Sequence, residues 1–153
     1  MVKSYRGVAV VKEKGHKMQD VHVEDYMTRR LITFSPNQTM DIVIKTLITK
    51  KISGGPVVDE NENLVGVISE GDCLKEVVRG KYNNTPNLSG RVEEHMTREV
   101  YTLPPETNIF DAARKFLEMK IRRFPVVKDG KLLGQISQRD IMRACQNLKD
   151  TTW

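Results

Sequence analysis

The sequence lacks the long apolar runs that a membrane protein needs. No hydrophobic stretch approaches the roughly 20 residues of a transmembrane helix, although hydrophobic residues make up 39% of the 153 positions. The early stretch GVAVV, Gly7 to Val11, is followed at once by charged residues and is too short for the core of a signal peptide. We therefore expect a protein without membrane spans that is not exported.

Cysteine is scarce, with two residues in the chain, Cys73 and Cys145. Both lie in apolar helical contexts, and their spacing fits neither a metal site nor a disulfide framework. Because disulfides are rare in the reducing cytosol, we predict that both are reduced, buried thiols of a cytoplasmic protein. The pattern predicts no metal site.

The chain also has no dense basic block, although its net charge is +5. Its 25 lysines and arginines are spread among 20 acidic residues and do not alternate with aromatic residues, as they do on surfaces that bind single-stranded nucleic acid. A mild positive charge favours anionic partners, including nucleotides, nucleic acid and acidic proteins. Of these, nucleic acid is the one that the absence of a basic block disfavours.

A catalytic constellation is missing as well. The three histidines, His16, His22 and His95, have no acid or nucleophile at a recognisable interval. Ser69 and Ser137 lack the glycine pattern of a nucleophile elbow. The sequence therefore predicts a protein that is not an enzyme.

What the chain has is an internal repeat. The phrase LVGVISEGDCL at 64–74 returns as LLGQISQRDIM at 132–142, and a shift of 69 places VEDYMTR on VEEHMTR and KISGGPVV on KIRRFPVV. One residue is lost between DENEN and KDGK, and because turns tolerate deletions, the loss marks a hairpin tip. We assign the repeats to 23–80 and 92–149, a connector to 81–91, and a charged N-terminal arm to 1–22.

Each repeat predicts a strand, a helix, a β-hairpin and a second helix. The strands are LITF and VYTL, and the first helices follow Thr39 and Asn108 as N-caps. Apolar residues recur there at helical spacing: Met40, Val43, Ile44, Leu47 and Ile48 in one copy, and Ile109, Ala112, Ala113, Phe116 and Leu117 in the other. The second helices follow Asp72 and Asp140; the first of them ends near Gly80 and the other reaches Leu148. Three short strands cannot cover such a helix alone, so we expect two copies to pack together.

The order of these motifs resembles a cystathionine-β-synthase (CBS) domain: an MT segment, a T..P strand end, PVV, a hairpin, GxIS and an aspartate. Two copies in tandem resemble a Bateman module, and the resemblance covers residues 23 to about 148. It implies an α/β (α+β) fold of two β-α-β-β-α repeats packed as a CBS pair. It also implies a regulatory module that binds AMP, ADP, ATP or S-adenosylmethionine in clefts between the repeats and requires no cofactor. Such a module signals to a partner protein or through self-association, with a homodimer as the default.

The two SxxD motifs have two compatible interpretations. In the first, Ser69 and Ser137 cap the following helix, and Asp72 and Asp140 complete a capping box at its positive end. In the second, which the resemblance favours, each carboxylate accepts hydrogen bonds from the two hydroxyls of a ribose. Hydrogen bonds to a charged group contribute about 1.5–3 kcal/mol.

The resemblance extends the candidate site to residues outside SxxD. It places ligand contacts at Thr33 and Thr102, which simple β-propensity also explains. It places the adenine edge near Ser53, Gly54, Gly55 and Pro56 in the first repeat and near Arg122, Arg123 and Pro125 in the second. Two glycines let a base approach closely, although a flexible loop is an equally simple interpretation.

The two clefts are expected to be unequal. Arg139 lies within the second SxxD, where a guanidinium beside a helix N-terminus suits a phosphate, whereas Glu70 in the first would repel it. We therefore predict that Asp140→Ala abolishes nucleotide binding and that Asp72→Ala has a milder effect. Because the clefts of the family combine residues from both copies, the alternative is that Arg139 contacts a phosphate whose ribose is bound by Asp72. An alternative function stays open: a ligand-independent protein interaction or dimerisation module with degenerate clefts.

Overall fold

The repeat accounts for the order of elements along the chain. The computed structural model describes residues 21–82 and 90–152, so most of the predicted arm and connector lies outside the described residues. In the first repeat the elements are α1 (Met40–Lys50), β1 (Gly54–Val58), β2 (Leu64–Ser69) and α2 (Glu70–Tyr82). In the second they are α3 (Val92–His95), α4 (Ile109–Met119), β3 (Arg123–Lys128), β4 (Lys131–Ser137) and α5 (Gln138–Thr152). A short 3₁₀ turn, Val23–Asp25, precedes the first repeat's helices.

The chain forms two units whose boundaries cross the repeats. The first unit comprises 30–82, 90–101 and 129–132, and the second comprises 21–29, 102–128 and 133–152. The opening segment of each repeat therefore crosses to the sheet of the other repeat. In the second unit, Thr28 and Gln135 form two backbone hydrogen bonds of 2.9 Å. Thr97 and Val67 do the same in the first unit. Each sheet is completed by a segment that the sequence assigns to the other repeat.

This exchange explains the glycine that both copies of the repeated phrase retain. A Cβ on Gly66 would lie 2.7 Å from Met96 Sδ and 2.8 Å from the Thr97 carbonyl oxygen. At Gly134, a Cβ would lie 2.7 Å from the Thr28 carbonyl oxygen. A methyl group at either position would push the crossing MT segment off the sheet.

The first unit packs α1 and α2 on an antiparallel pair of strands. In this pair, Gly54 lies opposite Ser69, and a register irregularity between Val57 and Val58 precedes the hairpin tip. The core contains Phe34, Met40, Val43, Leu47, Val57, Ile68, Cys73 and Val92. Helix α1 ends at Lys50, and the next residue, Lys51, has a left-handed backbone with a φ of 56°.

The second unit repeats this packing with α4, α5 and the sheet of β3 and β4. Its helix α4 has a side-chain cap, because Asn108 Oδ1 accepts from Phe110 N at 2.7 Å. The core contains Val23, Met27, Leu103, Ile109, Ala112, Phe116, Phe124, Val126, Ile136, Ile141 and Ala144. The predicted hairpins and first helices are confirmed in both repeats.

The hairpin tip of the second repeat completes the first unit. Leu64 N donates to the Gly130 carbonyl at 3.0 Å, and Leu132 N donates to the Glu62 carbonyl at 3.1 Å. Lys131 Nζ donates to the Asn61 carbonyl at 2.8 Å. The two hairpin tips, where the repeats differ in length, therefore contact each other.

The predicted strands LITF and VYTL are wrong in extent. Each contributes one parallel bridge, Phe34 to Val57 and Leu103 to Val126. To extend either bridge by one residue pair toward the N-terminus, Pro56 or Pro125 would have to donate a backbone N–H, and proline has none. The same PVV motif that predicts the hairpin thus ends the neighbouring strand after one rung.

Three further expectations need correction. Helix α2 continues past Gly80 to Tyr82. Cys73 is buried as predicted, but Cys145 is exposed, because it lies outside the apolar stripe that α5 packs on the core. Ile48 and Leu117 share the sequence pattern of their helix faces, yet their exposed fractions are 73% and 79%. No helix in the described part of the chain is long and apolar enough to cross a membrane.

The first unit also contains a buried polar pair that its counterpart lacks. Glu76 on α2 is 1% exposed, and its Oε2 lies 3.1 Å from His95 Nδ1 and 3.6 Å from Arg79 Nη1. The equivalent residues in the second unit are Ala144 and Tyr26, whose hydroxyl accepts from Asn147 Nδ2 at 3.0 Å. One unit thus has an ionisable pair where the other has apolar packing.

Candidate functional site

The first SxxD motif lies where β2 passes into α2. Oδ2 of Asp72 accepts from the Ser69 backbone N–H at 2.9 Å and from Ser69 Oγ at 3.1 Å. Asp72 is 9% exposed, and its position in the first helical turn favours its negative charge. These contacts confirm the capping role of the Asp72 carboxylate and hold it in one orientation, whereas Ser69 Oγ donates to Asp72 and accepts no backbone N–H among the described residues.

The second SxxD motif repeats these contacts at the junction of β4 and α5. Oδ2 of Asp140 accepts from the backbone N–H and the Oγ of Ser137, both at 2.9 Å. Asp140 N also donates to Ser137 Oγ at 3.2 Å. Asp140 is 7% exposed, so both carboxylates are largely buried and pre-oriented.

The two aspartates differ at their second oxygen. Arg143 Nη2 donates to Oδ1 of Asp140 at 2.6 Å. Across residues 21–82 and 90–152, no hydrogen bond or ion pair reaches Oδ1 of Asp72, and the residue equivalent to Arg143 is Lys75. Sequence reasoning missed Arg143, although its i,i+3 spacing from an acidic residue was a visible signal.

In the first unit, the other predicted site residues lie around the start of β1. Gly54 is paired with Ser69, and the Ser53 carbonyl accepts from Glu70 N at 3.0 Å. Thr33 is exposed beside the Phe34 bridge, and Pro56 is buried. The fold thus brings together one set of predicted residues: Thr33, Ser53, Gly54, Gly55, Pro56, Ser69 and Asp72.

The glycines of this set have a packing role as well. A Cβ on Gly54 would lie 2.5 Å from the Ile68 carbonyl oxygen, and one on Gly55 would lie 2.8 Å from the Ile32 carbonyl oxygen. Backbone atoms therefore already require glycine at both positions. Close approach of a base is compatible with this packing but is not needed to explain it.

The second unit assembles the equivalent set at the start of β3. The Pro125 carbonyl accepts from Leu103 N at 3.0 Å, which places Thr102 beside β3, and Pro125 is buried. The side chains of Arg122, Arg123 and Arg139 are exposed. The set of predicted residues in this unit is Thr102, Arg122, Arg123, Pro125, Ser137, Arg139 and Asp140.

The charges around the two junctions have opposite character. In the first unit, burial raises the pKa of the Cys73 thiol, and the negative charges of Asp72 and Glu70 raise it further. In the second unit, Arg139 and Arg143 flank Asp140 on the same helix. Residues 21–82 and 90–152 contain no cluster of three or more side chains suited to hold a metal ion.

The fold and the two junctions together define a pair of CBS repeats. The chain belongs to the CBS domain family, whose model matches residues 23–79 and 92–147. The predicted family resemblance and the mixed α/β fold of tandem repeats are confirmed.

Two relatives have structures with bound adenosine compounds. The chain is similar to the chloroplastic CBS domain-containing protein CBSX2 of Arabidopsis thaliana, with 34% identity over 85% of this chain and 66% of the relative. The structure of CBSX2 in complex with AMP has a TM-score of 0.72 and 37% identity, covering 84% of this chain and 98% of that one. The CBS domain pair of protein MJ0100, in complex with 5′-methylthioadenosine and S-adenosyl-L-methionine, has a TM-score of 0.66 and 30% identity, covering 83% and 97%.

An enzyme also matches, through a small part of its length. Inosine-5′-monophosphate dehydrogenase of Halobacterium salinarum is 33% identical over 73% of this chain, but only 21% of the enzyme is covered. The similarity is confined to CBS domains. This match therefore supplies no catalytic assignment for this chain.

Proposed function

We propose that this chain is a regulatory module that binds an adenosine-containing ligand through its two SxxD aspartates. One observation carries the proposal: each unit holds a largely buried carboxylate in a fixed orientation beside the start of a strand. The ligands named for CBSX2 and MJ0100 share adenine and ribose and differ elsewhere. The shared part is what a carboxylate for the ribose hydroxyls would recognise.

Each predicted residue has a role in this proposal. Asp72 and Asp140 accept the ribose hydroxyls, and Ser69 and Ser137 position these carboxylates. Thr33 and Thr102 contact polar atoms of the ligand. Arg139 contacts a phosphate where the ligand has one. The adenine edge is proposed to lie against Ser53, Gly54, Gly55 and Pro56 in one unit and Arg122, Arg123 and Pro125 in the other.

Calorimetric titration tests this function with AMP, ADP, ATP, S-adenosylmethionine and 5′-methylthioadenosine. The matched control ligand is 2′,3′-dideoxyadenosine monophosphate, which lacks both hydroxyls. Each lost hydrogen bond to a charged group costs about 1.5–3 kcal/mol, so binding should weaken by at least about 10-fold. Equal binding of AMP and its dideoxy analogue contradicts the role of the carboxylates.

Variants complete the test. Replacing both Asp72 and Asp140 with asparagine keeps the side-chain shape and should abolish binding of every adenosine ligand. The control is Asp59→Asn, which changes a carboxylate of a hairpin turn. If no adenosine ligand binds the unaltered protein, the alternative function as a ligand-independent interaction module replaces this one.

The second part of the proposal is that the module signals through self-association. Exposed apolar side chains occupy equivalent helix positions in the two repeats: Leu74 and Met142 are 64% and 63% exposed. In the first unit, the apolar face borders a groove of about 390 Å³ lined by Ile44, Leu47, Ile48, Glu70, Cys73, Leu74 and Val77. We propose that these faces join two copies of the chain as a homodimer.

Sedimentation measures the dimer directly. Leu74→Glu with Met142→Glu should shift the protein to a monomer, because charged side chains at an apolar interface lose their hydration. Lys75→Glu on α2 is the control with a comparable change of charge. A double variant that sediments like the unaltered protein contradicts this interface.

Location and partner are also part of the proposal. We expect the module to act in the cytoplasm on an unidentified protein and to need no nucleic acid. CBSX2 is named as chloroplastic, so fractionation of cells that express the chain is the measurement that decides its location.

A further inference from the structure

The contact between Arg143 and Asp140 separates the two proposed ribose sites. The capping contacts of Asp72 and Asp140 match closely, since each Oδ2 accepts the backbone N–H and hydroxyl of its serine. The difference lies at Oδ1, which accepts Arg143 Nη2 at 2.6 Å in Asp140.

Oδ1 is the atom that a ribose needs. A carboxylate has about four acceptor positions, and the capping serine already uses two of them on Oδ2 of each aspartate. New donors, such as the two hydroxyls of a ribose, therefore depend mainly on Oδ1. At Asp140 this oxygen is already occupied by a charged donor.

The side chain of Arg143 is well placed to compete. It is 57% exposed, so it can rotate into water when a ligand arrives, at the cost of the ion pair. Lys75 has no such contact among the described residues, although it lies at the same distance along the helix from Asp72. The competition therefore affects one site and leaves the other unaffected.

We infer that Arg143 is a positioning residue that competes with ribose for Oδ1 of Asp140, so that the site of Asp72 fills first. This inference rests on the proposed function and reverses the order that Arg139 alone predicts. Exposed ion pairs contribute modestly, and their usual strength corresponds to about 1.4- to 5-fold in affinity. Arg143 thus distinguishes the two aspartates at Oδ1, the atom where their contacts differ most.

The experiment isolates one site at a time with an uncharged probe. Asp72→Ala leaves the Asp140 site, and Asp140→Ala leaves the Asp72 site. The probe is 5′-methylthioadenosine, which carries no phosphate and therefore gains nothing from a direct contact with the guanidinium. Calorimetry measures its dissociation constant, and thermal unfolding checks that each variant is folded.

Arg143→Met in the Asp72→Ala protein should tighten binding by about 1.4- to 5-fold. The matched control is Lys75→Met in the Asp140→Ala protein, where binding should not change. Raising the salt concentration screens an exposed ion pair. The dissociation constant of the probe should therefore decrease as salt is added to the Asp72→Ala protein. Once Arg143 is replaced, this dissociation constant should no longer depend on salt.

Each outcome decides between the proposals. Unchanged or weaker binding after Arg143→Met, or tighter binding by Asp72→Ala than by Asp140→Ala, overturns the inference and leaves the proposed function intact. If the unaltered protein binds neither the probe nor AMP, the proposed function fails, and the inference fails with it.

Discussion

The buried pair of Glu76 and His95 allows a sharp test of how the first unit is stabilised. Glu76 is 1% exposed and His95 is 11% exposed, with 3.1 Å between Oε2 and Nδ1. The guanidinium of Arg79 lies at 3.6 Å from Glu76 Oε2 with a side chain that is 61% exposed, so water screens it. Removing the imidazole leaves a carboxylate in the core with one weak partner.

The expected loss is large for one substitution. Removing the partner of a buried polar group typically costs about 1–3 kcal/mol, and more where the group is charged, so we expect His95→Tyr to cost about 3 kcal/mol. For a chain of this size, a loss of about 3 kcal/mol lowers the melting temperature by roughly 6–12 °C. Urea denaturation followed by circular dichroism measures the change in the free energy of unfolding.

The second unit supplies the rescue. It has Ala144 and Tyr26 at the equivalent positions, and Tyr26 packs against a core that includes Ala144. Adding Glu76→Ala to His95→Tyr removes the unpaired carboxylate, so the double variant should be more stable than the single variant.

Two results would refute this reasoning. One is a His95→Tyr protein whose free energy of unfolding equals that of the unaltered protein. The other is a double variant that is less stable than the single variant, which would mean that Glu76 stabilises the unit without its partner.

Three further predictions concern the turn, the crossing point and the thiols. Hydrogen bonds from the backbone of Asn63 and, less strongly, of Asn61 lower the pKa of Asp59 below its usual 3.8. Asp59→Ala should therefore reduce the free energy of unfolding above pH 3.8, and the difference from the unaltered protein should disappear as the pH falls below 3.8. Unfolding measured as a function of pH in the acid range tests this. Gly66→Ala should destabilise the protein by about 1–3 kcal/mol, because its methyl group would meet the Thr97 carbonyl oxygen. The control Gly71→Ala meets nothing closer than Ser69 Oγ at 3.6 Å, so a similar loss there would contradict the steric explanation. In dilute protein at neutral pH, mass spectrometry should show fast labelling of exposed Cys145 and slow labelling of Cys73, which is buried and has a raised pKa; equal rates would contradict this difference.

Much of the local structure follows from the sequence. The spacing of apolar residues predicts α1 and α4, because a helix with one buried stripe needs that period. The lost residue between the copies predicts the hairpin tips. The serine and aspartate of SxxD lie within one helical turn, so their capping contact is also a local property.

Other features depend on residues that are far apart in the chain. The MT segments lie on the sheet of the opposite repeat. The sequence pattern of one repeat would be the same if its MT segment lay on its own sheet, so the pattern does not predict this crossing. The short strands failed as predictions because proline ends a ladder only where a neighbouring strand would require its N–H.

The two matched repeats, the positions of their helices and turns, and the aspartates that are candidates for a ligand can all be read from the linear pattern of residues. These are properties of neighbouring residues and of similarity between segments. The i,i+3 spacing of Arg143 and Asp140 is local as well. The fold decides which segments cross to the other sheet and that Glu76 faces His95. Such contacts depend on side-chain direction and on packing between distant segments, which a linear pattern does not specify.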